Sequence, residues 1–350
     1  MSWLVSLLVL SALIFFHELG HYFAARFVGV FVEVFSIGFG KKLFSFHKWG
    51  TQWSISAIPL GGYVKMKGQD DSDPTKISLD ADSYNVKTPL QKIFILLAGP
   101  LANFVLAFVL YFIIALGGPS VLSPVIGKVV DGSPAQVAGL QTNDTVKSIN
   151  NIEISTWKEM ADIIEKSDDS LNIQIVREGY IQFLTLTPKL SEATNLYNEV
   201  VQKKMIGIGS AGVSHKLELG FGETFAYATE QTIFASTLIF TGVGKLITGD
   251  VPANELGGVI SIVKLTSDAT DAGWMSVLFF AALISVNLGV LNLLPIPALD
   301  GGHIMFNLYE FITRRTPSEA VIVKLTIAGW VLLFSLMGLG LYNDINRLIG

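Results

Sequence analysis

Phe15-Phe16-His17-Glu18-Leu19-Gly20-His21 closes an apolar run in which positions 4–16 carry no ionisable side chain. On an α-helix His17 and His21 lie one turn apart on one face, so both imidazoles can reach a single Zn²⁺ while Glu18 points toward water on that metal. Such a site is hydrolytic. Bound water becomes acidic, with a pKa near ~7, and a neighbouring carboxylate can take its proton and later pass it to a leaving amine. Two histidines and a glutamate are costly in hydrocarbon unless paired, hydrated or coordinated, so their place late in an apolar helix favours a metal site over a chance string.

Hydrophobic residues make up 51% of the 350 and charged residues 15%, a balance that calls for several membrane spans rather than one soluble core. The net charge of −5 comes without any lysine-arginine run, which excludes a nucleic-acid partner. There is no cysteine, so a metal must be held by histidine and carboxylate oxygen. Met1, Ser2 and Trp3 offer no cationic leader, and the first helix is read as retained.

Four stretches, 2–25, 93–116, 273–299 and 325–342, meet the length rule of ~20 mainly apolar residues. A fifth, 231–244, is short and thinned by Thr232, Ser236, Thr237 and Thr241, and reads as peripheral. With four spans, the segments holding Lys41, Lys42 and Lys48 and holding Arg314, Arg315 and Lys324 share one side, which the positive-inside rule makes cytoplasmic. Both termini then face outward. Spans one and three run the same way, and His17, His21 and Asp300 share a depth. Asp300 is therefore the candidate third ligand, the alternative being a helix-end carboxylate in water. It ends Asn292-Leu-Leu-Pro-Ile-Pro-Ala-Leu-Asp300, where Pro295 and Pro297 break the helical ladder and leave backbone groups that an extended bound chain could satisfy. Asn292 could hold a scissile carbonyl or make an interhelical hydrogen bond.

HELGH in the first span, Gly99-Pro-Leu-Ala-Asn103 in the second and N-x-x-P-x-P-x-L-D-G from Asn292 in the third together resemble the bacterial site-2 protease family, of the regulator of sigma-E protease type with a single PDZ domain. The resemblance covers nearly the whole chain. It implies His17, His21 and Asp300 as ligands of Zn²⁺, Glu18 as catalytic acid/base, and substrate-binding roles for Asn292, Pro295, Asn103, Gly61, Gly62 and Tyr63. Without it, Gly99 and Asn103 read only as a small-and-polar helix-packing face.

The expected fold class is a polytopic α-helical membrane protein with four transmembrane helices, a cytoplasmic-side re-entrant β-hairpin region and one extracytoplasmic PDZ-like α+β domain. Residues 35–67 alternate apolar and polar around glycines and read as short strands with turns. The resemblance makes them the re-entrant hairpin, an ordinary cytoplasmic hairpin being the alternative. The acidic stretch 70–82 reads as a flexible loop or gate. The expected plan is a first helix over 1–25, the β region and loop over 26–92, a second helix over 93–117, the PDZ-like domain over 121–190, a connection with a peripheral amphipathic helix over 191–271, a third helix with LDGG over 273–302 and a fourth over 320–343. The PDZ-like domain would offer Val125, Ile126, Gly127, Lys128 and Val129 as a peptide edge, or act as a size filter.

The expected activity is cleavage of a single-pass membrane protein, of the anti-sigma-factor or remnant-signal-peptide type, in a bacterial inner membrane. An upstream site-1 type protease would trim that substrate first, and the lipid bilayer is the remaining partner. A stress-type membrane zincin would take a glutamate as third ligand, which the LDGG setting of Asp300 disfavours. A non-catalytic PDZ adaptor is disfavoured by the intact Glu18, histidines and Asp300. His47 and His215 read as surface residues, and His303 as a structural residue rather than a fourth ligand.

Overall fold

The computed structural model describes residues 2–69, 78–195, 197 and 199–349. Most of the stretch expected to form an acidic gate, 70–77, lies outside the described residues.

Helix α1 (Ser2–Phe27) rises ~39 Å at 1.5 Å per residue, enough to cross ~30 Å of hydrocarbon. It ends because Gly29 turns left-handed at φ 75°. Gly29 N–H then bonds Arg26 O at 3.2 Å and Val30 N–H bonds Ala25 O at 2.8 Å, which satisfies the last carbonyls and swings the chain into a sheet. Strands β1 (Val32–Lys48) and β2 (Thr51–Met66) are each bent, β1 at Gly38 and Gly40 and β2 at Gly61, all at positive φ. The two strands therefore make four runs. Phe35 lies between Trp53 on one side and Val64 on the other, and the outer runs are 42–48 and 62–66. Phe35, Val32 and Met66 pack with Tyr22 and Ala25 of α1. Helix α2 (Pro89–Leu116) adds Ile95 to that core. It opens with a reciprocal cap, Gln91 N–H to Thr88 Oγ1 and Thr88 N–H to Gln91 Oε1, and with proline at its first position, where no N–H is needed.

Residues Ala115–Phe221 form a separate compact unit. In order it contains β3 (Ser120–Leu122), β4 (Ile126–Val129), α3 (Pro134–Val137), β5 (Thr145–Ile149), β6 (Ile152–Glu153), α4 (Trp157–Lys166), β7 (Leu171–Arg177) and β8 (Tyr180–Leu186). Then follow β9 (Lys189–Thr194), β10 (Val200–Met205), β11 (Ile208–Ser210) and β12 (Ser214–Lys216). A four-stranded sheet runs β6-β5-β7-β8, and α4 lays Met160 and Ile164 on Ile149, Ile173 and Ile175. The unit outlasts the expected limit at 190, because β11 pairs with β4 and β12 with β3. Along the expected peptide edge, one side of β4 is therefore already paired. β11 already takes up Ile126, Lys128 and Val129, Val125 O accepts from Ala211 N–H at 3.0 Å, and a Cβ on Gly127 would meet Ala211 Cα at 2.5 Å.

Asp144 is fully buried in this unit, and Arg177 grips both its oxygens at 2.7 Å while also donating to Gly139 O. Removing the cation strands a buried carboxylate, which costs about 3 kcal/mol or more. Arg177→Met is therefore expected to raise hydrogen exchange throughout β5 and β7 in the intact protein. Unchanged exchange there would show that Asp144 is satisfied without it.

The chain returns through α5 (Phe221–Thr248), α6 (Val259–Asp271), α7 (Trp274–Asn292), α8 (Asp300–Thr313) and α9 (Glu319–Ile349). Among the described residues four helices are long and apolar enough to cross a membrane: Leu4–Phe27, Pro89–Leu116, Trp274–Asn292 and Glu319–Ile349. Helix α5, which covers the doubtful fifth stretch, packs Ala228 and Ala235 in one cluster with Ala107 and Tyr111 of α2 and Ala282 and Val286 of α7. Helix α6 lies against α1. Its N-terminus is held by the buried Asp344 of α9, which accepts from Gly258 N–H and Ser261 N–H at 3.0 Å each.

The third helix does not run through 302 as expected. It stops at Asn292, and a new helix starts at Asp300, because Pro295 and Pro297 lack N–H donors and bar the residues before them from helical geometry. The intervening loop folds onto the start of α8. A Cβ on Gly301 would sit 2.2 Å from Leu294 O, and one on Gly302 2.3 Å from Ile296 O. Only glycine admits that approach, which fixes where Asp300 points.

Candidate metal centre and active site

Three elements meet at the centre. Helix α1 presents His17 and His21 one turn apart, and α8 presents Asp300 from its first position. His17 Nε2 and His21 Nε2 are 3.2 Å apart, and Asp300 Oδ2 lies 3.3 Å and 3.4 Å from them. Tetrahedral zinc with bonds of ~2.0–2.1 Å separates its ligand atoms by about 3.3 Å, so the triangle has the required edge. Asp300 Oδ2 is moreover buried with no hydrogen-bond donor among the described residues. A carboxylate oxygen in that position calls for a cation.

Helix α2 orients both rings. His21 Nδ1–H donates to Ile95 O at 2.8 Å, leaving Nε2 as the metal-facing lone pair. The carboxamide of Asn103, fully buried, lies 3.2 Å from His17 Nδ1. Pro100, in the same helix, brings no N–H to the Leu96 carbonyl, and Leu96 lines the cavity in front of the metal ligands.

That cavity has a volume of about 210 Å³ and is walled by His17, Glu18, His21, Gly62, Tyr63 and Asn292 among others. A Cβ on Gly62 would sit 3.1 Å from Glu18 Cγ, so the outer run 62–66 passes directly beside the carboxylate. Asn292, at the last position of α7, faces the same cavity. Of the other residues expected to bind substrate, Gly61 and Pro295 do not line it, and Asn103 stands behind His17 instead of in front of the metal. Gly61 serves the bend, since a Cβ there would be 2.1 Å from the Phe39 ring. His303 lines the cavity one turn after Asp300 but is not part of the three-atom cluster. His47 and His215 are exposed.

Gln69 was not legible as a site residue. It follows β2, lines the cavity and has a buried Oε1 without a donor among the described residues. Its neighbourhood is pinned by Lys67, which bonds Asp82 at 2.7 Å and Asp80 at 2.9 Å; these two carboxylates raise the Lys67 pKa. A polar residue just past the GGYV strand was the available signal.

A protein-family profile described as Peptidase family M50 matches residues 5–336. This chain belongs to peptidase family M50. A Campylobacter jejuni protein named "Putative zinc metalloprotease Cj1068" is 49% identical over 349 residues, covering 100% of this chain and 94% of that one. A Helicobacter pylori strain J99 protein named "Putative zinc metalloprotease" is 41% identical over 356 residues, covering 99% of each. One from Clostridium acetobutylicum is 33% identical over 334 residues, covering 95% of this chain and 94% of its own. The M50 peptidase described here is accordingly a membrane zinc metalloprotease, with His17, His21 and Asp300 suited to hold the ion.

Proposed function

We propose that this M50 peptidase is an intramembrane endopeptidase that cuts single-span membrane proteins within the bilayer after their outer domain has been removed. The observation that carries this reading is a zinc triad whose two histidines sit in a membrane-length helix, opening on a cavity beside the strand edge 62–66. Zn²⁺ held there supplies a Lewis acid for the scissile carbonyl and the attacking water. Glu18 takes the proton of that water and delivers it to the leaving amine. Asn292 donates a carboxamide N–H as negative charge grows on the carbonyl oxygen. A substrate helix must unwind to reach the site, and residues 62–66, paired on one side with 32–37, offer it new backbone partners as an added strand.

The basic residues Lys41, Lys42 and Lys48 on β1 favour a cytoplasmic side for the re-entrant hairpin, with both termini extracytoplasmic in a bacterial inner membrane. The unit over Ala115–Phe221 then lies outside as a PDZ-like module that admits trimmed substrates. An anti-sigma-factor or remnant signal peptide, released by an upstream protease, has the right form.

The test is purified protein in liposomes with a single-span reporter, with and without a folded outer domain. Cleavage inside the span of the trimmed reporter alone, stopped by a zinc chelator and restored by Zn²⁺, is expected. Cleavage only in water-exposed segments would replace this reading with a membrane zincin acting at the surface. Zinc-independent retention of the reporter without cleavage would replace it with an adaptor.

A further inference from the structure

Asn103 has no part in the hydrolytic steps, yet it is fully buried against the site. Its backbone carbonyl accepts from Ser285 Oγ of α7 at 2.8 Å, which fixes its place between helices. Its side chain has two ends. One lies 3.2 Å from His17 Nδ1, and Oδ1 is buried with no donor among the described residues when the NH₂ end faces that ring.

A carboxamide has nearly the same shape with its two ends exchanged, so chemistry decides its orientation. With NH₂ toward His17, Nδ1 must be the acceptor. A neutral ring then carries its proton on Nε2, the atom 3.3 Å from Asp300 Oδ2 and 3.2 Å from His21 Nε2. That proton would occupy the direction a cation needs. With the amide turned, Oδ1 gains a donor in Nδ1–H, and the Nε2 lone pair is aimed at the centre. His21 shows the same arrangement, with Nδ1–H on Ile95 O at 2.8 Å.

We infer that Asn103 is a positioning residue, whose Oδ1 accepts from His17 Nδ1–H and thereby holds the His17 Nε2 lone pair on the metal. Helix α2 thus supplies one acceptor to each histidine ligand, a main-chain carbonyl to His21 and a side-chain carbonyl to His17. The inference rests on the zinc reading of His17, His21 and Asp300. It removes Asn103 from the substrate-binding set.

The experiment is competitive zinc titration of the full-length protein, stripped of metal, comparing wild type, Asn103→Asp and Asn103→Leu, with thermal melting of the metal-free forms. Loss of such a supporting hydrogen bond weakens metal binding ~10–100-fold. Asn103→Leu should fall by that factor with its metal-free melting unchanged. Asn103→Asp, which keeps an acceptor oxygen, should stay within about threefold of wild type, as in carboxylate–histidine–zinc arrangements. Equal affinity in all three proteins overturns the inference, as does an equal loss in both variants. Nitrogen-15 NMR of the His17 ring in zinc-loaded wild type gives a reading independent of variant folding. A proton on Nδ1 and metal on Nε2 supports the inference, and the reverse pattern overturns it. Failure of wild type to bind zinc removes the metal reading itself, an outcome distinct from either of these.

Discussion

Glu18→Gln is expected to lower proteolysis by about 10³-fold while the protein keeps its zinc. Proton transfer by a positioned carboxylate contributes ~10²–10⁴ in rate, and the glutamine amide cannot take a proton from water. Zinc is expected to stay because the three ligand atoms that converge belong to His17, His21 and Asp300, and Glu18 is not among them. The substitution also preserves volume where space is tight, with Gly62 packed against Glu18 Cγ. The rate of reporter cleavage in liposomes and the metal content of the same preparations decide the matter. Activity within tenfold of wild type would remove Glu18 from the proton-transfer step. Loss of zinc together with activity would instead make it a ligand.

The histidine pair was legible because helical spacing is local: positions i and i+4 in an apolar run need no knowledge of the fold. Asp300 was legible for a different reason, as the first ionisable group after an uncharged run from 272 to 299. Pro295 and Pro297 marked a break in the ladder, yet the expected helix still ran on to 302; where α7 stops and α8 starts at Asp300 depends on the loop folding over Gly301 and Gly302, a tertiary contact that leaves no periodic trace. The place of Asn103 behind His17, and Gln69 altogether, were hidden in the same way. The first acts across a helix pair, on a ring 86 residues away in sequence. The second reaches the cavity only because β2 bends back toward α1. In the unit over Ala115–Phe221, β11 and β12 are three residues each, with Gly209 inside the first and Gly212 between the two, so alternation could not reveal them. Their partners β4 and β3 lie about 80 and about 95 residues earlier, so the expected limit fell at the end of the last long strand pair.

Gly99→Ala is the substitution expected to do most damage for one added carbon. An ideal Cβ at position 99 would stand 2.2 Å from His21 Nε2, 2.5 Å from Cε1 and 2.8 Å from Cδ2, all inside van der Waals contact. The ring cannot simply yield. His21 is buried and its other nitrogen is tied to Ile95 O on the same helix as Gly99. Nor can the helices part freely, since Gly20 of α1 already sits so close to α2 that its own Cβ would meet Ala98 O at 2.2 Å. Either the imidazole leaves its ligand position or α1 and α2 separate, and forced overpacking of this kind costs ~1–3 kcal/mol. At 1.4 kcal/mol per tenfold, zinc affinity should drop about 10–100-fold, and cleavage should fall further because Glu18 moves with the helix that carries His21. Gly338→Ala in α9 is the matched control, with nothing within 4 Å of its Cβ, and should leave zinc binding and cleavage unchanged. Wild-type zinc affinity in Gly99→Ala would mean that α1 and α2 can shift apart without cost, and that the close approach of the two helices is not what holds His21 on the metal.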